Sequence, residues 1–456
     1  MEDELRTDRN DAARRAGHDA LGRMQARLQT LAPRRESGRV TKVSGPLVQA
    51  QLPAVRIGEL CELREPGEGR IGYGEVVGIE GDHALLSLHG DTRGLSLRTE
   101  VVPTGQTPTV AVGEFLLGAV IDAHGNVLRP AFDRQEKAGG NRAQPLHSDP
   151  PPPLRKRGID RPLLTGISAI DAMLTCGEGQ RIGIFGSPGA GKSTLISQII
   201  KNSSAEIVVC ALVGERGREV SEFVAEVMPG NAASNAVLVV ATSDRPSLER
   251  YKAVLTAMSV AEYFRDQGRR VLLVVDSVTR VARALREIGL AAGEPPVRRG
   301  YPPSVFAALP RIFERSGNGE RGTMTAFYTV LVEGEEQEDP IAEETRSLLD
   351  GHIILSDRIA QSGHYPAIDV LRSRSRTMNA VVTPAHRAAA DRVRSMLSLY
   401  KDVELLIRVG EYQAGRDADV DEAVAKRPDI LRFLYGEAAA PSGIAEVEAR
   451  LEALAR

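Results

Sequence analysis

The sequence predicts an α/β fold with a largely parallel sheet, preceded by a small β-barrel or sandwich and followed by a helical segment. From Leu163 onward the apolar runs RIGIFG, EIVVCALVG, AVLVVAT, RVLLVVD, MTAFYTVL and HIILS alternate with amphipathic stretches, the pattern of parallel strands joined by crossover helices. Between Arg39 and about Val102 the text is instead short β-like runs broken by Gly and Pro, RVTKVSGPLVQAQL and GEVVGIEGDHALLSL, which suits a small closed or stacked sheet. After Pro384 the periodicity is helical to the end, AADRVRSMLSLYKDVELLIRVGEY and then DADVDEAVAKRPDILRFLY.

Taken in order, residues 1–36 alternate in charge, with eight Arg against seven Asp or Glu. Leu21, Met24, Leu28 and Leu31 recur at helical spacing, so the segment reads as a short amphipathic helix, either a solvated arm or a docking element. The β-rich unit follows at 37–105. Residues 106–162 hold a second β-like piece and then HSDPPPPLRKRGIDRP, a linker whose prolines forbid a continuous helix. The α/β unit occupies 163–380 and the helical unit 381–456.

At 456 residues the chain has room for roughly three domains. Its net charge of −3 argues against a broadly basic nucleic-acid binder. Only eight lysines occur among 58 basic residues, so a lysine inside a motif is informative. Cys61, Cys176 and Cys210 lie far apart without metal-ligand spacing, as in a reduced cytosolic protein. The longest apolar runs, such as Val271–Val275, fall far short of the roughly 20 residues a membrane span needs. The start, MEDELRTDRNDAARR, has no signal-type apolar core.

Gly186-Ser187-Pro188-Gly189-Ala190-Gly191-Lys192-Ser193 matches G-x-x-x-x-G-K-S/T between an apolar strand and a helical run, the context a phosphate-binding loop requires. The glycines let backbone N–H groups turn inward around a β-phosphate, and the helix N-terminus adds its dipole. Lys192 is placed to bridge the β- and γ-phosphates of ATP and Ser193 to ligate Mg2+. Asp276 closes the strand RVLLVVD and would face the metal, or else cap the next helix. Glu215, in GERGRE after the following strand, falls at the same sheet edge, placed to polarise the attacking water. Arg216 and Glu219 are candidates for phosphate contact and for the metal's water shell, ordinary loop ion pairs being the alternative.

Together GEGQRIGIFGSPGAGKSTL, LVGERGREVSEF, VLVVATSDRP, AEYFRDQGRRVLLVVDSVTR and REIGLAAGEPP resemble the ATPases of type III protein secretion, relatives of the catalytic β subunit of rotary ATP synthases. The segments VRRGYPPSVFAALPRIFERSG, HYPAIDVL and MNAVVTPAHR look more like the injectisome branch than the flagellar export branch. The resemblance implies a RecA-like P-loop NTPase core between a β-barrel oligomerisation domain and a helical C-terminal domain. It assigns Gly186, Gly189, Ala190, Gly191, Lys192, Ser193 and Thr194 to the phosphate loop, Glu215 to catalysis and Asp276 to the Mg2+ side. The family's Ser-(Val/Ile)-Ser-Arg motif reads Ser373-Arg374-Ser375-Arg376 here, which makes Arg376 the arginine reaching the neighbouring subunit's γ-phosphate. Arg372 and Arg374 depart from the small or apolar residues usual at those places, and Pro188 is unusual in the loop.

Tyr365 matches an aromatic beside the adenine, and Phe433 lies in another stretch near the base. The loop Gly293–Ser304, with Arg298, Arg299 and Tyr301, resembles the segment that meets a central stalk protein. The resemblance further implies a homohexamer at the cytoplasmic face of the inner membrane, peripherally associated. Its N-terminal region would meet a negative regulator or stator, and its C-terminal helices chaperone–effector complexes. A flagellar export ATPase is the nearest alternative. A ring translocase on nucleic acid wants a basic or aromatic surface, whereas aromatics are 4% of this chain. A non-catalytic subunit would lack Glu215, and the secretion-type blocks argue against a proton-coupled synthase.

Overall fold

The structure, a computed structural model, describes Leu21, Met24 and residues 37–52, 54–90, 92–130, 141–229, 235–332, 339–436 and 443–456. Leu21 and Met24 are helical and exposed. Leu28 and Leu31, the rest of that apolar stripe, lie outside the described residues.

Strands β1 (Gly38–Ser44), β2 (Leu47–Gln51), β3 (Leu60–Glu65), β4 (Gly69–Glu80), β5 (His83–His89) and β6 (Glu100–Gln106) close into a barrel of order β1-β2-β5-β4-β3-β6. This settles the choice between barrel and sandwich. Alternate residues, among them Val48, Ala50, Cys61, Leu63, Val76, Leu86 and Val101, fill its interior, and closure leaves no open edge. Next come β7 (Thr109–Val112), β8 (Val120–Asp122), β9 (Val127–Arg129), β10 (Arg142–Pro145), β11 (Pro162–Leu163) and β12 (Cys176–Gly177). Here β7 pairs with β10, while β8 and β9 join the central sheet, so the connecting segment builds part of the core.

The central sheet adds β13 (Arg181–Gly186), β14 (Ile207–Val213), β15 (Ala236–Ala241), β16 (Arg270–Asp276), β17 (Thr323–Leu331), β18 (Gly351–Ile354) and β19 (Arg374–Ser375). Its order is β19-β18-β13-β17-β16-β14-β15-β8-β9. All neighbours from β18 to β8 are parallel, and only the flanking β19 and β9 run antiparallel. Every residue of β14 and β15 is buried, which explains their unbroken apolar text, since a parallel sheet is covered on both faces.

The covering helices are α1 (Ser168–Met173), α2 (Lys192–Asn202), α3 (Gly217–Val227), α4 (Ser247–Asp266), α5 (Val278–Ala291), α6 (Pro303–Glu314), α7 (Pro340–Leu348), α8 (Asp357–Gln361) and α9 (Met378–Val381). The C-terminal unit is α10 (Pro384–Val409), α11 (Ala418–Tyr435) and α12 (Ile444–Ala455). Thr383 caps α10 by accepting from His386 N, and Asp417 caps α11 by accepting from Asp419 N and Val420 N. This unit is fastened to the core through α1: His386 Nε2 donates to the Ala172 carbonyl at 2.8 Å, and Arg394 Nη2 to the Met173 carbonyl at 2.9 Å.

Two buried ion pairs hold the units together. Lys252 on α4 meets Glu75 of the barrel at 2.7 Å, and His147 meets the other oxygen at 3.1 Å. Burial alone would raise the Glu75 carboxyl, but the His147 hydrogen bond and the Lys252 charge outweigh it and hold it at about 2. Arg315, after α6, forks onto Glu262 of α4 at 2.7 and 2.8 Å and also donates to the Leu146 carbonyl at 2.7 Å. A guanidinium cannot shed its charge, so removing only the carboxylate strands a cation in the core. Glu262→Gln is expected to cost about 3–5 kcal/mol, and Glu262→Met with Arg315→Met much less. Urea unfolding midpoints of the variants check this; equal losses in both would show that packing, not the stranded charge, sets the cost.

Candidate active site

The phosphate loop leaves β13 at Gly186 and enters α2 at Lys192. Gly189 and Gly191 sit at φ +92° and +86°, a region closed to most residues and the reason glycine stands there. A Cβ at Gly191 would also lie 3.4 Å from the ring of Tyr365. Lys192 is mostly buried, and its Nζ lies 2.9 Å from Asp276 Oδ1 at the end of β16. That same oxygen accepts from Thr329 Oγ1 of β17 at 2.7 Å.

Because β13, β17, β16 and β14 are parallel neighbours, their C-terminal ends share one edge. The residue pair Gly214-Glu215 therefore arrives from β14 beside Asp276. Arg280, on the first turn of α5, locks this corner. Its Nη2 donates to Glu215 Oε2 at 2.9 Å and its Nη1 to the Gly214 carbonyl. Burial, and then the negative charge of Asp276, push the Glu215 carboxyl up to about 7 against the pull of Arg280 and Lys192. Glu219 accepts a hydrogen bond from Glu215, which holds it below its usual range.

Ser193, Thr194, Glu215, Glu219 and Asp276 share the wall of a cavity of about 210 Å3, with Leu212 and Phe223 behind them. Among the described residues no three His, Cys, Asp or Glu converge as ligands. The Ser193 hydroxyl and the Asp276 carboxylate are oxygen donors of the kind that would hold Mg2+ beside a bound phosphate.

Tyr365 lies half-exposed against the loop at Gly191. The other aromatic near this segment is Tyr435, at the end of α11. It donates to the Ile368 carbonyl at 2.9 Å and sits 5.3 Å from the His364 ring. Phe433 and Tyr435 both pack against the apolar core beneath the C-terminal helices. Arg216 stands in solvent as the N-cap of α3, 3.8 Å from Glu219, and does not line the cavity. In the loop Gly293–Ser304, Arg298 and Arg299 are exposed, but Tyr301 is buried with Arg286 over its ring. The expectation that Tyr301 faces a stalk is therefore corrected: a ring that packs well against Phe306 is drawn inward.

Arg376 is far from this site. Its N–H donates to the Asp350 carbonyl, and Asp350 Oδ2 accepts from Arg181 N at the start of β13. The phosphate loop begins at the other end of that strand, about 17 Å away. From β13, Glu215 at the end of β14 lies a further three strand positions across the sheet, about 14 Å. Sequence reasoning missed Arg280 and Thr329. The signals were Arg280 one turn after Asp276 and a threonine inside the apolar run of β17.

Residues 166–375 match the nucleotide-binding domain of the ATP synthase alpha/beta family, 40–105 its beta-barrel domain, and 382–453 the T3SS EscN ATPase C-terminal domain. The type 3 secretion system ATPase of Sinorhizobium fredii is 53% identical over 87% of both chains. The flagellum-specific ATP synthase of Bacillus subtilis is 44% identical over 91% of this chain and 94% of its own. Among solved structures, the assembled ATPase EscN of enteropathogenic E. coli aligns with a TM-score of 0.85 at 44% identity, covering 92% of this chain and all of that one. The same ATPase in complex with its central stalk EscO aligns at 0.82.

Gly191→Ala tests the loop geometry. Left-handed backbone costs alanine about 1–2 kcal/mol, and the new methyl crowds Tyr365. Affinity for MgATP, measured by calorimetry, is expected to fall about tenfold with little change in melting temperature; unchanged affinity would show that the loop tolerates a side chain there.

Proposed function

The chain belongs to the type 3 secretion system ATPases, and from that premise we propose that it forms a homohexameric ring in which ATP hydrolysis drives effector proteins through a type III secretion apparatus. One observation carries the ring: the phosphate site and Arg376 stand at opposite ends of the same sheet, so the cation that completes the site comes from a neighbouring copy.

In this reading the loop N–H groups and Lys192 hold the β- and γ-phosphates, and Glu215 orients the attacking water and takes its proton. Ser193 and Asp276 would hold Mg2+, which would supply positive charge to the phosphates when bound. Glu219 orders water beside it, and Arg216 stands at the mouth as a weaker phosphate contact. Arg376 of the adjacent copy meets the charge that develops in the transition state, which ties turnover to assembly. Tyr365 stacks on the adenine.

A central stalk protein fits the exposed Arg298 and Arg299 of the loop Gly293–Ser304, as EscO serves EscN. The N-terminal region takes a negative regulator or stator, and the C-terminal helices take chaperone–effector complexes, which hydrolysis releases and unfolds. The ring docks peripherally at the cytoplasmic face of the inner membrane; no described helix is long and apolar enough to cross it. The injectisome reading stands ahead of the flagellar one because identity to the secretion relative is 53% against 44%.

Rate per subunit against protein concentration, with light scattering on the same samples, tests the ring. The rate is expected to climb as the hexamer appears, and Arg376→Ala to lose on the order of 10³ in turnover with ATP affinity kept within about twofold. A flat rate from a monomer overturns it.

The acid side of the profile has a fixed sign. Glu215 accepts a proton only when ionised, so kcat/KM falls as pH drops through about 7. Arg280 pulls that value down, so Arg280→Gln is expected to move the acid limb to higher pH. A limb that stays in place under Arg280→Gln assigns it to another group.

A further inference from the structure

The residues around Arg376 carry more charge than one arginine needs. Ser373 and Ser375 turn inward: Ser373 Oγ accepts from Ile354 N at 2.9 Å, and Ser375 Oγ donates to the Thr175 carbonyl at 3.0 Å. Arg372, Arg374 and Arg376 are exposed. Arg374 lies on β19, the strand that ends the sheet, and Arg372 and Arg376 flank it in the turns on either side. Among the described residues neither Arg374 nor Arg376 has a side-chain partner. His352 beside them is held below its usual range, by burial first and then by Arg346, Arg376 and Arg374. An edge strand with unbalanced cations repels further strands but invites an anionic surface.

Such a surface exists on the same chain, out of reach. The cavity at the phosphate loop is lined by Glu215, Glu219, Glu222, Glu226 and Asp276; Asp276 and Glu215 face Lys192 and Arg280 of the same copy, which leaves the three carboxylates of α3 at the mouth. Glu219, Glu222 and Glu226 recur at i, i+3 and i+7 of α3, a single helix face about 10 Å long. Glu222 pairs with Arg218 at 3.0 Å and Glu226 with Lys201 at 2.9 Å, but the cations of both pairs are exposed, so the pairs exchange readily. Within one copy the width of the sheet keeps the two rows apart; only a second copy brings them together.

We propose that Arg374 of one copy seats against the acidic mouth formed by Glu219, Glu222 and Glu226 of the next and so sets the register that delivers Arg376 to the neighbouring phosphate site. This rests on the ring reading. Arg374 is a positioning residue: it acts on assembly and leaves the chemistry to Arg376. The motif this segment resembles carries Val or Ile at this place, so the charge is particular to this chain, and a charged contact makes assembly salt-sensitive.

The test uses the full chain. Arg374→Val is expected to raise the protein concentration at half-maximal ATPase about fivefold and to flatten its salt dependence, with turnover at saturation within twofold of the parent. Arg374→Glu raises it further, and Glu222→Arg in the same chain as Arg374→Glu brings it back. Unchanged concentration and salt dependence in Arg374→Val overturns the proposal, as does lost turnover in a fully assembled ring. If the parent's own rate is flat with concentration, the ring reading fails and this one with it; a concentration-dependent parent with an unaffected Arg374→Val sinks only the role of Arg374.

Discussion

The ion pair between Lys192 and Asp276 depends on the parallel arrangement of the sheet, and most of the site depends on that pair. Lys192 comes from the end of β13 and Asp276 from the end of β16, with β17 between them. Only parallel strands of matched register bring these ends together, and the register runs unbroken from Arg181 to Leu331 and from Arg270 to Tyr328. A one-residue slip would turn Asp276 to the opposite face of the sheet. Thr329, from the strand between, donates to the Asp276 oxygen that Lys192 also meets, so a hydroxyl in an apolar strand fixes where the acid points. The fully buried β14 and β15 keep this edge from shifting.

The same sheet that gathers Lys192, Asp276 and Glu215 sends Arg376 away. β19 runs antiparallel on the outer flank, so Arg376, the residue that follows it, lies beside Asp350 near the start of β13. An arginine held by backbone pairing at that end is rigid and exposed, suited to a neighbouring copy rather than to its own site. In the proposed ring, incompleteness within one chain and dependence on assembly follow from the same geometry.

Much of this was legible in the sequence because its signals are local. A loop of Gly186–Ser193 after an apolar strand names its own chemistry, and six apolar runs announced β13 to β18. What escaped was set by packing across the fold. Closure of the barrel, which the resemblance implied but the short β-like runs left open against a sandwich, depends on β1 meeting β6, a pairing no local pattern encodes. Tyr301 carries a polar hydroxyl in a Gly- and Pro-rich loop, yet its ring is buried beside Phe306. Phe433 and Tyr435 differ by two positions, and only the docking of α11 decides which one reaches the Tyr365 segment. Arg280 was readable one turn beyond Asp276, but its partner lies 65 residues earlier.

The corner formed by Glu215, Asp276 and Arg280 shows why such distant contacts govern the chemistry. A carboxylate at its ordinary value binds a proton too weakly near neutrality to serve well as a base. Burial and the charge of Asp276 raise Glu215 toward 7, while Arg280 stops it from rising further. Each influence reaches Glu215 from a different strand end or helix, so the basicity of this one residue reports on the packing of the whole edge. Phosphates entering the cavity add negative charge and raise Glu215 again, whereas a cation delivered from a neighbouring copy lowers it. In the proposed ring, assembly would then act on the base as well as on the transition state, because an arginine arriving from the neighbouring copy favours the ionised form of Glu215.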